Sequence, residues 1–141
     1  MSDKASLKSP IKTRLPPIFF NDALIAVENN GHGLLTVTRL GKDMAYPNMY
    51  LETVVDKITD KETIKLGFTT SVKTKPLIID TLRADLREKV IEINDKITLR
   101  EMMTFVVENN GSMGAEAGCH DDTIMSLALC NYINQGQFTP I

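Results

Sequence analysis

A chain of 141 residues with 43% hydrophobic and 24% charged side chains has the composition of an ordinary globular protein, long enough for one core and short for two full-sized domains. Sixteen Lys and Arg against eighteen Asp and Glu leave a net charge of -2, so the basic excess of a nucleic-acid-coating protein is missing and any such contact must come from a local patch. No apolar run approaches the ~18 residues of a membrane span, and neither a GxxxxGK[ST] nor a GxGxxG loop is present, which argues against membrane proteins, P-loop motors and Rossmann dehydrogenases.

Residues 1–17 hold Lys4, Lys8, Lys12 and Arg14 against Asp3 alone, broken by Pro10, Pro16 and Pro17, and read as a basic extended arm over residues 1–19. Residues 20–141 are then the domain. The run Ala23-Leu24-Ile25-Ala26-Val27 is apolar without alternation, the pattern of a strand buried on both faces of an α/β sheet. After the polar turn that follows, residues 34–40 suit a short helix that Gly41 can close in a left-handed conformation. Residues 48–55 suit a strand, and Ile64, Leu66 and Phe68 alternate with Lys65 and Gly67 as a half-buried strand, so a hairpin-like region is expected.

Pro76 can open a helix that places Ile78 or Ile79, Leu82, Leu86 and Val90 on one face and Arg83, Arg87 and Lys89 towards water. Thr98-Leu99-Arg100-Glu101 fits a capping box, predicting a short helix that feeds the strand Phe105-Val106-Val107. Asp121 or Asp122 can cap a last helix through Tyr132, whose Ile124, Met125, Leu127, Ala128, Leu129 and Cys130 leave scarcely any polar face and imply burial. The two cysteines, Cys119 and Cys130, have no CxxC spacing, and the N-terminus has no apolar leader; a reducing cytoplasmic setting follows as the expectation.

Glu28 closes the first apolar run, at the strand end where open α/β sheets place their sites, although a solvated strand-end acid reads the same way. Val27-Glu28-Asn29-Asn30-Gly31 recurs as Val107-Glu108-Asn109-Asn110-Gly111, and spacing does not decide which Glu matters. In His120-Asp121-Asp122 two adjacent acids open an apolar helix, a dense negative charge that wants solvent or a cation; plain helix capping is the competing reading. Oxygen donors select hard ions such as Mg2+ or Mn2+, and His32 and His120 without HExxH argue against zinc. Glu28 with Asp121 and Asp122 therefore suggests phosphodiester hydrolysis by two metal ions. Lys65, Lys73 and Lys75, with Arg83, flank Gly67-Phe68-Thr69-Thr70 and could neutralise backbone phosphates, as could any solvated lysine-rich loop face water. Tyr46 and Tyr50 suit base stacking or half-buried packing, and Cys119 beside His120 has no third group to make a thiol nucleophile.

Three stretches together resemble the nuclease domain of phage terminase large subunits, DNA-packaging proteins with an RNase H-like fold. They are Asn21-Asp22-Ala23-Leu24-Ile25-Ala26-Val27-Glu28-Asn29-Asn30-Gly31-His32-Gly33; Gly67-Phe68-Thr69-Thr70 through Lys75-Pro76; and Gly118-Cys119-His120-Asp121-Asp122 with Met125-Ser126-Leu127-Ala128-Leu129. The likeness runs over about residues 20–133 in the family's order. It implies an α/β, RNase H-like mixed sheet flanked by helices, with Glu28 as the second metal-ligating acid and Asp121 and Asp122 as the third acidic position, Asp122 preferred. It implies Asn30 and His120 beside those acids, Lys65, Lys73 and Lys75 towards DNA, and no catalytic role for Glu108. The implied activity is Mg2+- or Mn2+-dependent cutting of concatemeric double-stranded phage DNA in the host cytoplasm, with the terminase ATPase, portal protein and small terminase as partners and no membrane.

The family's first catalytic Asp lies on an opening strand upstream of this likeness, where the sequence here offers only the proline-broken arm with Asp3. The chain is accordingly expected to be the C-terminal part of a terminase, lacking the first strands of the fold, feeble as a nuclease alone, and carrying a sticky sheet edge. A non-catalytic interaction module that docks on an ATPase chain or DNA is the alternative. A helical HD-type phosphohydrolase would need more histidines.

Overall fold

The computed structural model describes residues 21–55 and 59–137, so the arm expected over residues 1–19 lies outside them. The chain divides between Phe68 and Thr69 into two compact units. Among the described residues these are mixed α/β, with four α-helices and two small antiparallel sheets in place of one continuous mixed sheet.

In the first unit, the apolar run at residues 23–27 and Glu28 after it pair, among the described residues, through isolated parallel bridges, Ile25 with Met49 and Glu28 with Phe68. The Ile25 amide donates to Asn48 O (2.9 Å), the Phe68 amide to Val27 O (2.9 Å) and the Asn29 amide to Phe68 O (2.7 Å). Residues 24–27 are half-buried, which corrects the expectation of a strand buried on both faces. An unbroken apolar run reports only that neither side faces water fully; two-sided burial also needs a packed layer on each face.

The turn after Glu28 passes through Gly31 in the left-handed region (φ 50°) and delivers Gly33 against the Glu28 carbonyl. A Cβ at Gly33 would overlap that carbonyl oxygen, so the residue opening α1 (Gly33–Thr38) has to be glycine. Helix α1 widens into a π-helical turn, Arg39–Asp43, that contains Gly41, and Ala45 (φ 48°) takes the left-handed position assigned from sequence to Gly41. Gly41 serves packing instead: a Cβ there would come 2.8 Å from Leu66 Cδ1.

Strands β1 (Leu51–Val55) and β2 (Glu62–Leu66) form the expected hairpin, with Leu51 opposite Leu66 and Thr53 opposite Ile64. That register puts Leu51, Val55 and Ile64 on one face, and all three are exposed, Ile64 by 68%. Alternation thus predicts side-chain direction correctly and burial wrongly at Ile64. Among the described residues Val37 and Phe68 are the buried large apolar residues of this unit, and the Phe68 ring lies 6.3 Å from the Tyr50 ring.

The second unit opens with α2 (Thr74–Arg87), whose Pro76 sits in the first turn, where a missing amide hydrogen costs nothing. Ile78, Ile79 and Leu82 are buried as the period predicts, but Lys89 (φ 56°) ends the turn and leaves Val90 exposed beyond the helix. Helix α3 (Lys96–Met103) runs into β3 (Phe105–Val107), which pairs antiparallel with β4 (Met113–Ala115). Helix α4 (Asp122–Gln137) extends past the expected end at Tyr132. It buries Ile124, Ala128, Leu129 and Ile133 on one side only, and Cys130 is exposed, so its apolar content overstated its burial.

The residue between α2 and α4 that the period does not reveal is Asp85, 8% exposed, whose Oδ2 accepts from Asn131 Nδ2 (2.6 Å) and Gln135 Nε2 (2.5 Å). Asp85→Ala should leave two amides of α4 without their acceptor and lower stability by about 2–3 kcal/mol. Urea unfolding of the variant against the parent measures it, and a loss under about 0.5 kcal/mol would remove Asp85 from this role.

Candidate active site

The acids singled out from sequence lie in both units, Glu28 in the first and Asp121 and Asp122 in the second. Glu28 is exposed at the end of the extended run, where its peptide is tied down on both sides: Phe68 donates to Val27 O and Asn29 donates to Phe68 O. Next to it the Asn29 Oδ1 is buried with no hydrogen-bond partner among the described residues. Asn30 stands in the same turn and its carbonyl accepts from the Gly33 amide (2.9 Å).

The repeated pentapeptide makes two different turns. Around Glu108 the chain reverses between β3 and β4: Gly111 is left-handed (φ 83°), and the Glu108 Oε2 accepts from Ser112 Oγ (2.9 Å) and Asn110 Nδ2 (3.2 Å). The Glu108 carboxylate is therefore employed in closing a hairpin, whereas the turn after Glu28 leads into α1.

In the second unit two side chains from outside α4, Glu101 and Lys75, build its head. Sequence spacing assigned Thr98 and Glu101 to a capping box at the start of α3, and the structure corrects this. Asp95 is the cap of α3, accepting from the Thr98 amide (2.7 Å) and hydroxyl (2.8 Å). Glu101 instead reaches across to α4, where its Oε2 accepts from the Thr123 hydroxyl (2.5 Å), the Thr123 amide (2.8 Å) and the Ile124 amide (3.3 Å). A cap supplied by another helix has no sequence signature, which is why spacing missed it.

The hydrogen bond from the Thr123 hydroxyl holds the Glu101 carboxyl below the usual carboxylate range, helped by the Ile124 and Thr123 amides and opposed by burial and the nearby Asp121 charge. The Thr98 amide and hydroxyl lower Asp95 in the same direction. A carboxyl lowered in the folded state stabilises fully above its unfolded pKa and loses that contribution as pH falls through the lowered folded value. Both caps should therefore weaken in acid, below the ordinary carboxylate range. Thermal melts of Glu101→Gln are expected to show a lower Tm at neutral pH and a shallower decline in acid than the parent; parallel pH profiles would count against the assignment.

The second side chain is Lys75, in the first turn of α2. Its Nζ lies 3.1 Å from Asp121 Oδ2 and 5.7 Å from the Phe105 ring centroid, with only a quarter of each partner's side chain exposed. Gly114 of β4 passes beneath the pair: a Cβ there would sit 3.5 Å from Asp121 Oδ2 and 3.8 Å from Lys75 Nζ. Asp122, by contrast, has an 88% exposed side chain, with the exposed His120 Nδ1 at 4.0 Å from its Oδ2. Of the lysines expected to face DNA, Lys65 is exposed on β2, Lys73 is exposed just before α2, and Lys75 is committed to Asp121.

Among the described residues no group of three or more His, Cys, Asp or Glu is arranged to hold a metal ion. Mg2+ commonly keeps several waters and binds through one or two carboxylates, so Asp121 and Asp122 suit one such ion by donor chemistry. The Lys75 ammonium also shows a positive charge seated against Asp121. Among the described residues no helix is long and apolar enough to cross a membrane. Neither a family model nor a solved structure matches the chain.

Proposed function

We propose that the chain is the C-terminal, RNase H-like nuclease part of a phage terminase large subunit, a Mg2+- or Mn2+-dependent endonuclease acting on concatemeric double-stranded DNA in the host cytoplasm. The observation that carries this reading is the head of α4, where Glu101 caps the first turn at Thr123 and Ile124, Lys75 pairs with Asp121, and Asp122 presents its carboxylate to solvent. This supports the sequence motifs that suggested the family, in which Glu28, Asp121 and Asp122 are the metal-ligating acids. A divalent cation bound there would activate water and stabilise the leaving oxygen of a phosphodiester. The chain's own residues orient the acids: Glu101 fixes the first turn of α4, His120 flanks Asp122, and Asn30 shapes the turn after Glu28. The exposed Lys65 and Lys73 would neutralise backbone phosphates.

Under this reading the ATPase chain, portal protein and small terminase are the partners. The test is Mn2+- or Mg2+-dependent nicking of supercoiled plasmid. Weak nicking is expected, lost in Glu28→Ala and Asp122→Ala; activity that survives both substitutions would sink the site assignment.

A second reading, an interaction module without catalysis, draws on apolar surface in the second unit. Met103 is 85% exposed, and a cavity of about 320 Å³ is lined by Ile79, Leu82, Leu86, Met102, Phe105 and Ile124. Co-purification with a separately encoded motor chain, with no cleavage at any metal concentration, would favour it.

A further inference from the structure

Beyond the acids, Lys75 stands out at the head of α4. Its position is unlike that of a phosphate-seeking lysine: the side chain is three-quarters buried, its ammonium is fixed by the Asp121 carboxylate, and the Phe105 ring and Gly114 backbone close around it. An aromatic face and a carboxylate both favour a positive charge, so the surroundings of the Lys75 ammonium suit a cation and already hold one. We infer that Lys75 is the built-in counter-cation of the Asp121 position, which a divalent metal ion must displace or share, so that Lys75 sets the metal affinity of the site.

The inference rests on the proposed metal role of Asp121 and Asp122 and adds to it a regulation. A unit positive charge a few ångströms from an incoming dication repels it and competes for the same oxygen. Without the metal, the ammonium neutralises Asp121 and leaves the exposed Asp122 to make the first contact with an ion from solvent. Lys75 is thus a positioning and regulating residue rather than a ligand.

The test uses the full chain and Mn2+ alone, read by electron paramagnetic resonance of the free ion and by calorimetry. Lys75→Met keeps the apolar stem over Phe105 and removes the charge, and is expected to tighten Mn2+ binding on the order of tenfold. Lys75→Arg restores a cation and should bind Mn2+ like the parent, and Asp121→Asn should weaken binding in every background. Circular dichroism checks that each variant is folded, and Lys75→Arg keeps the test open if Lys75→Met is not. Binding that depends on Asp121 but is equal or weaker in Lys75→Met, or tighter in Lys75→Arg, overturns the counter-cation role while leaving the metal site standing. Absence of any Mn2+ binding sensitive to Asp121 or Asp122 overturns the metal site, and this inference with it.

Discussion

Truncating Ile78 to alanine is expected to cost about 3–4 kcal/mol, the largest single loss available to the second unit. Ile78 is completely buried on α2, and among the described residues Ile79, Leu82, Ile124, Ala128, Leu129 and Ile133 are the other buried apolar residues of α2 and α4. The substitution removes three carbons' worth of transfer free energy and leaves a hole that two rigid helices cannot fully close. Native-state hydrogen exchange should show lost protection along α2 and α4, and urea unfolding should give the free energy. A loss below about 1 kcal/mol would mean that the helices collapse around the gap and that the packing is looser than its burial implies.

Gly67→Ala is the corresponding expectation for the first unit, at about 3 kcal/mol. Two costs combine there. Gly67 has φ 83°, a region that an L side chain enters only with strain of about 1–2 kcal/mol. An added Cβ would also stand 2.6 Å from Val27 O, 3.0 Å from Val37 Cγ2 and 3.3 Å from Asn29 Cβ. The carbonyl concerned accepts the Phe68 amide that ties the Glu28 peptide to this segment, so the substitution should disturb the position of Glu28 as well as stability. Gly111 separates the two costs, since it has the same φ of 83° with nothing within 4 Å of an added Cβ. Gly111→Ala should cost only about 1 kcal/mol. Equal losses at the two glycines, measured by chemical denaturation, would show that strain alone acts and that the approach of Val27 O is harmless.

Local chemistry was readable in the sequence wherever one segment supplied all the partners. The buried face of α2 followed from Ile78, Ile79 and Leu82, the β1–β2 hairpin from alternation, and the start of α4 from its paired aspartates. Where a second segment had to arrive, reading failed or stayed open. Glu101 sat at the right spacing for a cap on its own helix, yet its carboxylate satisfies the amides of α4, because Asp95 already caps α3 and the orphan donors at Thr123 and Ile124 lie within its reach. Gly41 looked like a helix terminator and is a packing glycine under Leu66.

The same division holds for the candidate site. Glu28, Asp121 and Asp122 could be named from motif and order alone, since carboxylates at a strand end and at a helix start are local patterns. That Asp121 faces a buried ammonium while Asp122 faces solvent could not, because Lys75 is 46 residues away in sequence and arrives there only through the packing of α2 against α4. Nor could the sequence separate Glu28 from Glu108, two identical pentapeptides. Only the hairpin of β3 and β4 shows the Glu108 carboxylate taken up by Ser112 and Asn110. Sequence by itself determined which residues can carry charge, cap a helix or turn a chain, as these are properties of a residue and its near neighbours. Tertiary structure decided which of those charges are paired, buried or open to a ligand, since that depends on which distant side chains packing brings within about 3–4 Å, where hydrogen bonds and ion pairs acquire their strength.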